Sequence, residues 1–231
     1  MATVDAAHAS APGAGGARLG AVRIAWADAA DVVDAVRPLA LAGLAVGQLR
    51  RYEAMEGALA ARFLVGRWLL ADLVAEVCDT DDFVLSNRCE QCGADDHGAP
   101  RVSGADAVVS VSYARGLVAV AAAHLADAAA LGIDIETGTP AGPLTELAPL
   151  FAPGEPPDLR GWTLIEAALK ADGRGLRVAP AAVRLGADGA LLPAARRVLI
   201  AGLDDGIEAA PAPAPEGFVL SVAVRSGARP R

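Results

Sequence analysis

The apolar residues in the first half of the chain recur at steps of three and four residues, the spacing that places side chains on one face of a helix. The pattern predicts a long helix from about Gln48 to Val77. Its apolar face consists of Met55, Leu59, Phe63, Leu70, Leu73, Val74 and Val77. Arg51, Arg62 and Arg67 fall at the margins of that face, where their guanidinium groups can reach a ligand beside the core.

Short apolar runs predict strands on both sides of this helix and again in the second half of the chain. The expected strands are residues 18–26, 107–113, 116–125, 130–136, 182–185, 197–203 and 217–224, and a second helix is expected at residues 160–171. Residues 78–104 and 210–216 are rich in residues that favour turns, and we predict that they form loops.

The order of these elements predicts an α+β fold made of two similar halves. Residues 18–127 form the first half, residues 128–231 form the second, and residues 1–17 are expected to be a flexible tail. Two halves joined by a short linker leave a cleft between them, and such clefts are favoured ligand sites. We therefore expect a ligand to bind between the halves.

Composition narrows the range of partners. The net charge of -8 and the pI near 4.9 argue against broad attraction to nucleic acid or to an anionic membrane, so an anionic ligand requires a local basic cluster. The sequence shows neither a secretory signal pattern nor an apolar stretch of membrane-spanning length. Three cysteines, an odd number, fit a reducing compartment better than a disulfide framework. We expect a cytoplasmic protein.

Three carboxylates and a lysine form the best candidate site. On the strand predicted at residues 130–136, Asp134 and Glu136 point to one face and the intervening residues point to the other. On the helix that follows, Glu166 and Lys170 are four residues apart and share one stripe. Oxygen ligands with room left for water and phosphate are typical of Mg²⁺ sites. The alternative is ordinary surface charge pairing at strand and helix spacing.

Two runs of the sequence resemble the signature motifs of a known enzyme family. Residues 131–136, LGIDIE, and residues 162–176, with the pattern W-x-x-x-E-A-x-x-K-A-x-G-x-G-L, are similar to the two main motifs of Sfp-type 4'-phosphopantetheinyl transferases. Residues 61–70, 97–100, 110–113 and 217–223 are similar to the family's first helix, Gly-Lys-Pro element, Ser-x-Ser-His element and last strand. The motifs follow the family's order and span about residues 18 to 225.

The resemblance implies the 4'-phosphopantetheinyl transferase fold, a pseudo-twofold pair of α+β halves with coenzyme A in the cleft between them. It implies that the phosphopantetheine arm of coenzyme A is transferred to a serine of an acyl or peptidyl carrier protein, in fatty acid, polyketide or non-ribosomal peptide biosynthesis. It also implies a monomer, because one chain already contains both members of the pair.

The same resemblance assigns roles to individual residues. By their positions in the motifs, Asp134, Glu136 and Glu166 are the expected Mg²⁺ ligands, and Glu166 is also expected to take the proton of the carrier serine. Lys170 is expected to act on the pyrophosphate, as both a catalytic and a coenzyme A-binding residue. The other expected contacts to coenzyme A are Arg51 and Arg62, toward its 3'-phosphate and adenine end, and Ser112 and Tyr113, within the Ser-x-Ser-His element.

The chain departs from the family pattern at its phosphate-binding positions. Tyr113 replaces a histidine, and Ile165 and Ala99 replace lysines, so three groups that bring positive charge to a phosphate are missing. Residues 152–161 are shorter than the family's carrier-docking segment and contain three prolines. These departures support an alternative hypothesis, a repurposed family fold that binds carriers or coenzyme A without catalysis, or that catalyses a different reaction.

A second cluster of candidate ligands lies in the predicted loop at residues 78–104. Cys89 and Cys92 form a C-x-x-C pair, and His97 follows five residues later. This spacing is compatible with structural zinc, but zinc sites usually show a second ligand pair at standard spacing. The alternative is a reduced loop without metal, and the sequence leaves both interpretations open.

Overall fold

The structure is a computed structural model that describes residues 13–89, 91–142, 144–202 and 206–227. Over these residues the fold is mixed α+β, and the paired strands are antiparallel. The α+β class predicted from the sequence is therefore confirmed.

The elements follow one another in two groups. In the first half they are β1 (Ala14–Leu19), β2 (Val22–Asp28), α1 (Ala29–Ala42), α2 (Val46–Glu53), α3 (Gly57–Cys78), β3 (Val84–Ser86), β4 (Arg101–Ser103), β5 (Ala107–Ala114) and β6 (Leu117–His124). In the second half they are β7 (Ala130–Thr137), α4 (Ala148–Phe151), α5 (Leu159–Asp172), β8 (Val183–Asp188), β9 (Arg196–Ile200), β10 (Ile207–Ala212) and β11 (Phe218–Arg225).

Two sheets form the centre of the molecule. The first has the strand order β1-β2-β6-β5 and the second has the order β7-β11-β10-β9-β8, while β3 and β4 form a separate two-stranded ribbon. One face of each sheet packs against the other sheet. Their shared core is aliphatic, with Ile24 and Ala121 from the first sheet and Ile133 and Leu220 from the second. Burial of these side chains holds the two halves together.

Helices cover the outer faces of both sheets. α1 and α3 pack on the first sheet, where Val36, Leu69 and Val120 share one buried cluster. α5 packs on the second sheet, where Ala168 and Ile207 share another. The layers therefore run helix, sheet, sheet, helix. Within the residues that the structure describes, no helix combines the length and the apolar character that a membrane crossing requires.

The long helix predicted at residues 48–77 is in fact two helices. α2 ends at Glu53 and α3 begins at Gly57, where a φ of +53° turns the chain between them. The sequence prediction also misses α1. Asp28 caps the start of that helix, and its side chain accepts a hydrogen bond from the Ala30 backbone nitrogen, but the helix contains Pro38, which obscures the helical pattern.

The strand predicted at residues 18–26 is a hairpin. β1 and β2 pair with each other and are joined at Gly20, whose φ is +60°. Residues 14–17 belong to β1, so the flexible tail predicted at residues 1–17 extends too far along the chain. Residues 1–12 lie outside the described residues.

Two segments predicted as loops contain strands. Residues 78–104 include β3 and β4, and residues 210–216 include the end of β10. β9 pairs with β10 only from Ile207 to Ala209, so at Pro211 the strand has a neighbour on one side only. Strand edges are where sheets tolerate proline. The proline-rich pattern predicts a loop, although these residues form the end of β10, which lies at a sheet edge.

Candidate functional site

β7 and α5 lie in direct contact because Gly132, on the strand, has no side chain to separate them. A Cβ built at Gly132 would overlap the Ala167 carbonyl oxygen and lie 2.8 Å from the Ala171 nitrogen. The alternation of β7 places Asp134 on the same face as Gly132, toward α5. The strand and the helix that carry the predicted site are therefore held against each other.

The amino group of Lys170 connects this helix to two strands. Its Nζ donates hydrogen bonds to Asp134 Oδ1 at 2.8 Å, to Ser112 Oγ at 2.9 Å and to the Ile133 carbonyl oxygen at 2.9 Å. Ser112 Oγ also donates to Asp134 Oδ1 at 2.9 Å. Asp134 is only 4 % exposed. The interpretation as an ordinary surface pair is therefore wrong for Asp134 and Lys170.

Two serine hydroxyls join the edges of the sheets at this point. The Ile133 backbone nitrogen donates to Ser110 Oγ at 3.1 Å, and the Ile135 nitrogen donates to Ser112 Oγ at 3.4 Å. Both serines are buried on β5, and they share one face because they are two residues apart. β5 and β7 are the edge strands of their sheets. The serines thus satisfy β7 amides that lie on an open sheet edge.

Glu136 and Glu166 lie beside this ion pair and are half-buried. Burial raises the pKa of both carboxyl groups, and the nearby negative charge of Asp134 raises each pKa further. A hydrogen bond with the Trp162 side chain opposes this rise at Glu136. The three carboxylates are therefore close enough to repel one another.

The donor set fits a hard cation, although its oxygen atoms are not yet gathered around one point. Asp134 Oδ2 is buried and has no hydrogen-bond partner. A cation would satisfy that oxygen and would relieve the repulsion among Asp134, Glu136 and Glu166. The oxygen atoms of these three residues do not all lie within 4.8 Å of one another. They would hold Mg²⁺ only after small side-chain movements.

The predicted contacts to coenzyme A on α2 and α3 form a second cluster. Arg51, Arg62 and Arg67 all lie close enough to Tyr113 for their charges to favour its ionised form. Burial outweighs them and raises the pKa of the Tyr113 phenol, so this group is neutral near pH 7. The ring is 38 % exposed, but its hydroxyl group points at α3, 3.0 Å from where a Cβ on Gly66 would lie.

Arg67 is buried in this cluster without an anionic partner among the described residues. It is 4 % exposed, and its Nε and Nη1 atoms have no hydrogen-bond acceptor. Its guanidinium carbon lies 4.7 Å from the centre of the Phe63 ring, and that of Arg51 lies 5.5 Å from the same ring. Burial lowers the pKa of Arg67. A buried cation with open donors can bind an anion.

The structure therefore divides the predicted site residues into two groups. Ser112 faces Asp134 and Lys170, whereas Tyr113, the next residue on β5, points to the opposite face and meets Arg51 and Arg62. The two groups are separated by the thickness of one strand. A ligand that contacts both must bend around the end of β5.

A groove lies between the two halves, and Lys170 is the residue of the two clusters that lines it. Its volume is about 560 Å³. Basic residues from both halves line it, namely Arg101 from β4 and Lys170, Arg174, Arg177 and Arg225 from the second half. Ala99, where the family has a lysine, lies in the same groove two residues from Arg101. Asp172 also lines the groove and pairs with Arg174, but the basic residues outnumber it, so in an acidic chain the groove offers the local positive charge that an anionic ligand requires.

Sequence reasoning did not single out Arg174, Arg177 or Arg225. Arg174 and Arg177 follow α5 directly, so the helix that carries Lys170 also places them at one end of the groove. The sequence feature that could have identified Arg174 and Arg177 is their position directly after the helix predicted at residues 160–171, which carries Lys170. Arg225 lies at the end of β11, and no pattern in the sequence points to it.

Comparison with known proteins assigns no family to the chain. No protein-family model matches it, and no curated protein matches it in sequence. The chemistry and geometry of the two clusters therefore have to support any functional proposal.

Proposed function

We propose that the protein is a Mg²⁺-dependent 4'-phosphopantetheinyl transferase that moves the phosphopantetheine arm of coenzyme A to a serine of an acyl or peptidyl carrier protein. The observation that carries the proposal is the buried contact of Lys170 with Asp134 and Ser112 at the junction of the two halves. Residues from separate motifs of the chain meet there, with Glu136 and Glu166 beside them.

The arrangement of the halves supports the corresponding fold, a pseudo-twofold pair. Each half has an antiparallel sheet with a helix on its outer face, α3 on the first sheet and α5 on the second. The sheets meet face to face, and the basic groove lies between the halves. In this proposal the pair is contained in one chain, which acts as a cytoplasmic monomer.

The reaction exchanges the phosphoanhydride bond of coenzyme A for a phosphodiester bond to the carrier serine. The carrier serine oxygen attacks the β-phosphorus of coenzyme A, the bond from that phosphorus to the bridging oxygen breaks, and 3',5'-ADP leaves with that oxygen. Glu166 takes the serine proton, a role that its raised pKa favours. Lys170 provides a fixed positive charge at the junction for the pyrophosphate.

Asp134, Glu136 and Glu166 would hold the Mg²⁺ ion. When bound, the ion supplies positive charge against the phosphoryl oxygens of the transition state. The unpartnered Asp134 Oδ2 atom and the raised pKa values of the two glutamates support this assignment. The metal-free side chains instead direct Asp134 Oδ1 to Lys170.

The second cluster would bind the nucleotide end of coenzyme A. Arg51 and Arg62 offer charge to the 3'-phosphate, and Tyr113 offers a neutral hydroxyl donor. The buried Arg67 guanidinium adds donors that have no acceptor in the protein. These groups supply some of the positive charge that the departures at Ile165 and Ala99 remove.

A repurposed fold is the second candidate, in which the protein binds carriers or coenzyme A without transfer or catalyses another reaction. The neutral Tyr113 phenol favours it, because this position brings no charge to a phosphate. Ile165, which stands where the family has a lysine, is 5 % exposed within the core under α5. Lys170 already pairs with Asp134 at 2.8 Å, so this carboxylate has a cationic partner within the protein.

Incubation with coenzyme A, Mg²⁺ and a panel of apo carrier proteins tests the transferase directly. Mass spectrometry should show the added arm on at least one carrier. Glu136→Ala should abolish transfer with the fold intact, whereas the matched control Glu146→Ala, at an exposed glutamate, should not. Calorimetry separates the candidates, because the transferase requires Mg²⁺-dependent binding of coenzyme A. Failure to modify any carrier would refute the transferase.

A further inference from the structure

We propose that Cys89, Cys92 and His97 bind a zinc ion that fixes the loop between β3 and β4. Their ligand atoms all lie within 4.8 Å of one another, and no other group of this kind exists among the described residues. Cys92 Sγ lies 3.3 Å from His97 Nε2. A sulfur and a nitrogen bound to one tetrahedral zinc lie about 3.6 Å apart, given typical bond lengths. Cys92 and His97 therefore need to move by only a few tenths of an ångström relative to each other.

The orientation of His97 is that of a metal ligand. Its Nδ1 atom lies 2.7 Å from Asp96 Oδ1. An ionised carboxylate only accepts hydrogen bonds, so Nδ1 carries the proton and donates it. The lone pair is then on Nε2, which faces Cys92. Histidines that bind zinc almost always donate the proton of their other ring nitrogen to a carboxylate, a backbone carbonyl or water.

The backbone also brings the two cysteines together before any metal binds. The Cys89 nitrogen donates to the Ala94 carbonyl oxygen at 2.7 Å, and the Gly93 nitrogen donates to the Cys89 carbonyl oxygen at 2.9 Å. Gly93 has a φ of +73°, a conformation that glycine adopts without strain. This closed turn contains the C-x-x-C pair, and both sulfur atoms lie within 4.8 Å of the His97 ligand nitrogen.

An exposed ion pair at 2.8 Å between Arg50 and Asp95 ties the loop to α2, and exposed pairs of this kind contribute little stability. β3 and β4 have three residues each, and a ribbon of this size is at best marginally stable alone. Most residues between Cys89 and Ala99 are exposed, although Asn87 at the base is buried and donates to the Gly98 carbonyl oxygen. A metal that joins Cys89 to His97 would close the loop without needing an apolar core.

The ligand types select zinc over Mg²⁺. Thiolate and imidazole are soft or borderline ligands, which suit Zn²⁺ and do not suit Mg²⁺. Two thiolates balance the charge of one Zn²⁺, and each thiol releases its proton when it binds. The three protein ligands leave the fourth tetrahedral position to a water molecule.

The zinc loop forms one wall of an arginine-lined groove. Arg88, Cys89 and Ala99 lie on one side of a space of about 540 Å³, and Arg174 and Arg177 lie on the other. By fixing this wall, zinc would set the width of the groove at the end of α5. The zinc assignment does not rest on the proposed transferase function, because it uses a separate group of residues.

Metal analysis of the full chain, purified under reducing conditions without chelator, tests the site. We expect one zinc per chain, lost in Cys92→Ser and in His97→Ala and retained in the matched control Cys78→Ala, whose thiol lies at the end of α3. Asp96→Asn should weaken zinc binding about tenfold while leaving all three ligands in place. Cobalt added in place of zinc should give thiolate-to-metal absorption.

Wild-type protein that binds neither zinc nor cobalt in a titration under reducing conditions would overturn the proposal. Zinc that stays bound in both Cys92→Ser and His97→Ala would do the same. The cobalt spectrum of the folded wild type decides the matter even if a variant fails to fold, because the charge-transfer band requires cysteine ligation.

Discussion

Lys170 Nζ lies 2.8 Å from Asp134 Oδ1, and this pair joins the outer helix of the second half to the edge strand of its own sheet. The same amino group donates to Ser112 on the edge strand of the first sheet. One ammonium group therefore holds three elements from both halves. Asp134 is almost fully buried, and Lys170 supplies the opposite charge beside its carboxylate.

We expect Lys170→Met to destabilise the protein. Removing one member of a buried ion pair leaves the other charge uncompensated, which costs roughly 3 to 5 kcal/mol, and the 31 % exposure of the Lys170 side chain places the loss at the lower end of that range. Arg37→Met is the control, because the Arg37–Asp34 pair is exposed and its loss should destabilise the protein less, although Arg37 also donates to the Tyr52 hydroxyl. Urea unfolding measures both.

Mg²⁺ gives this prediction a second readout. If Asp134, Glu136 and Glu166 form a cation site, millimolar Mg²⁺ should restore part of the stability that Lys170→Met loses, because the ion replaces the missing positive charge. Equal effects of Mg²⁺ on wild type, Lys170→Met and Arg37→Met would count against a metal site at this junction.

Glu166→Gln should stabilise the protein at neutral pH in the absence of Mg²⁺. The folded-state pKa of Glu166 is raised by burial and by Asp134, so the folded state binds more protons than the unfolded state between the ordinary glutamate pKa and the raised value. Wild-type stability therefore falls as the pH rises through that window. The glutamine variant lacks this loss.

The advantage of Glu166→Gln should be fully present above the raised pKa and should disappear below the ordinary glutamate pKa of about 4.5. Thermal unfolding of both proteins across this pH range measures the difference in Tm. An advantage that grows toward acidic pH would have the wrong sign. Transfer activity should be lost in the same variant, which would make Glu166 a site where function lowers stability.

Gly132→Ala should disrupt the packing of α5 on β7. The added Cβ would overlap the Ala167 carbonyl oxygen, a backbone atom that cannot move without displacing the helix. We expect a loss of stability of at least about 3 kcal/mol, the upper end of the usual cost of overpacking. Gly206→Ala is the control, since a Cβ there meets no atom within 4 Å. Similar unfolding midpoints for the two variants would refute the close contact.

The sequence predicts the elements that show undisturbed apolar spacing, and it misses those that form only through tertiary packing. The strand predicted at residues 130–136 and the helix predicted at residues 160–171 are each correct to within one residue at either end, because their apolar spacing is undisturbed. α1 contains Pro38, and the end of β10 contains Pro211. Proline argues against both element types, and tertiary packing overrides it here.

The candidate site is likewise predictable from the sequence only where a local pattern determines it. Strand alternation correctly places Asp134 and Glu136 away from the inter-sheet core, but no local pattern predicts that Ser112 would lie within 2.9 Å of Asp134. That contact depends on how the two sheets meet. The sequence also grouped Tyr113 with Ser112, although neighbours on a strand point to opposite faces, as these two do.

Arg67→Met should raise the stability of the ligand-free protein and weaken its binding of coenzyme A. Two buried donors of Arg67 lack acceptors, and each unsatisfied donor costs about 1 to 3 kcal/mol. The contact with the Phe63 ring returns only about 0.5 to 2 kcal/mol. The balance of these ranges favours an apolar side chain of similar length, by up to about 5 kcal/mol. Arg23→Met, the control, should lower stability, because Arg23 is paired with Glu76.

Coenzyme A should raise the Tm of wild type and of Arg23→Met by similar amounts and that of Arg67→Met by less. A fall in ligand-free stability together with unchanged binding would show that Arg67 is a packing residue and that the open donors do not serve an anion.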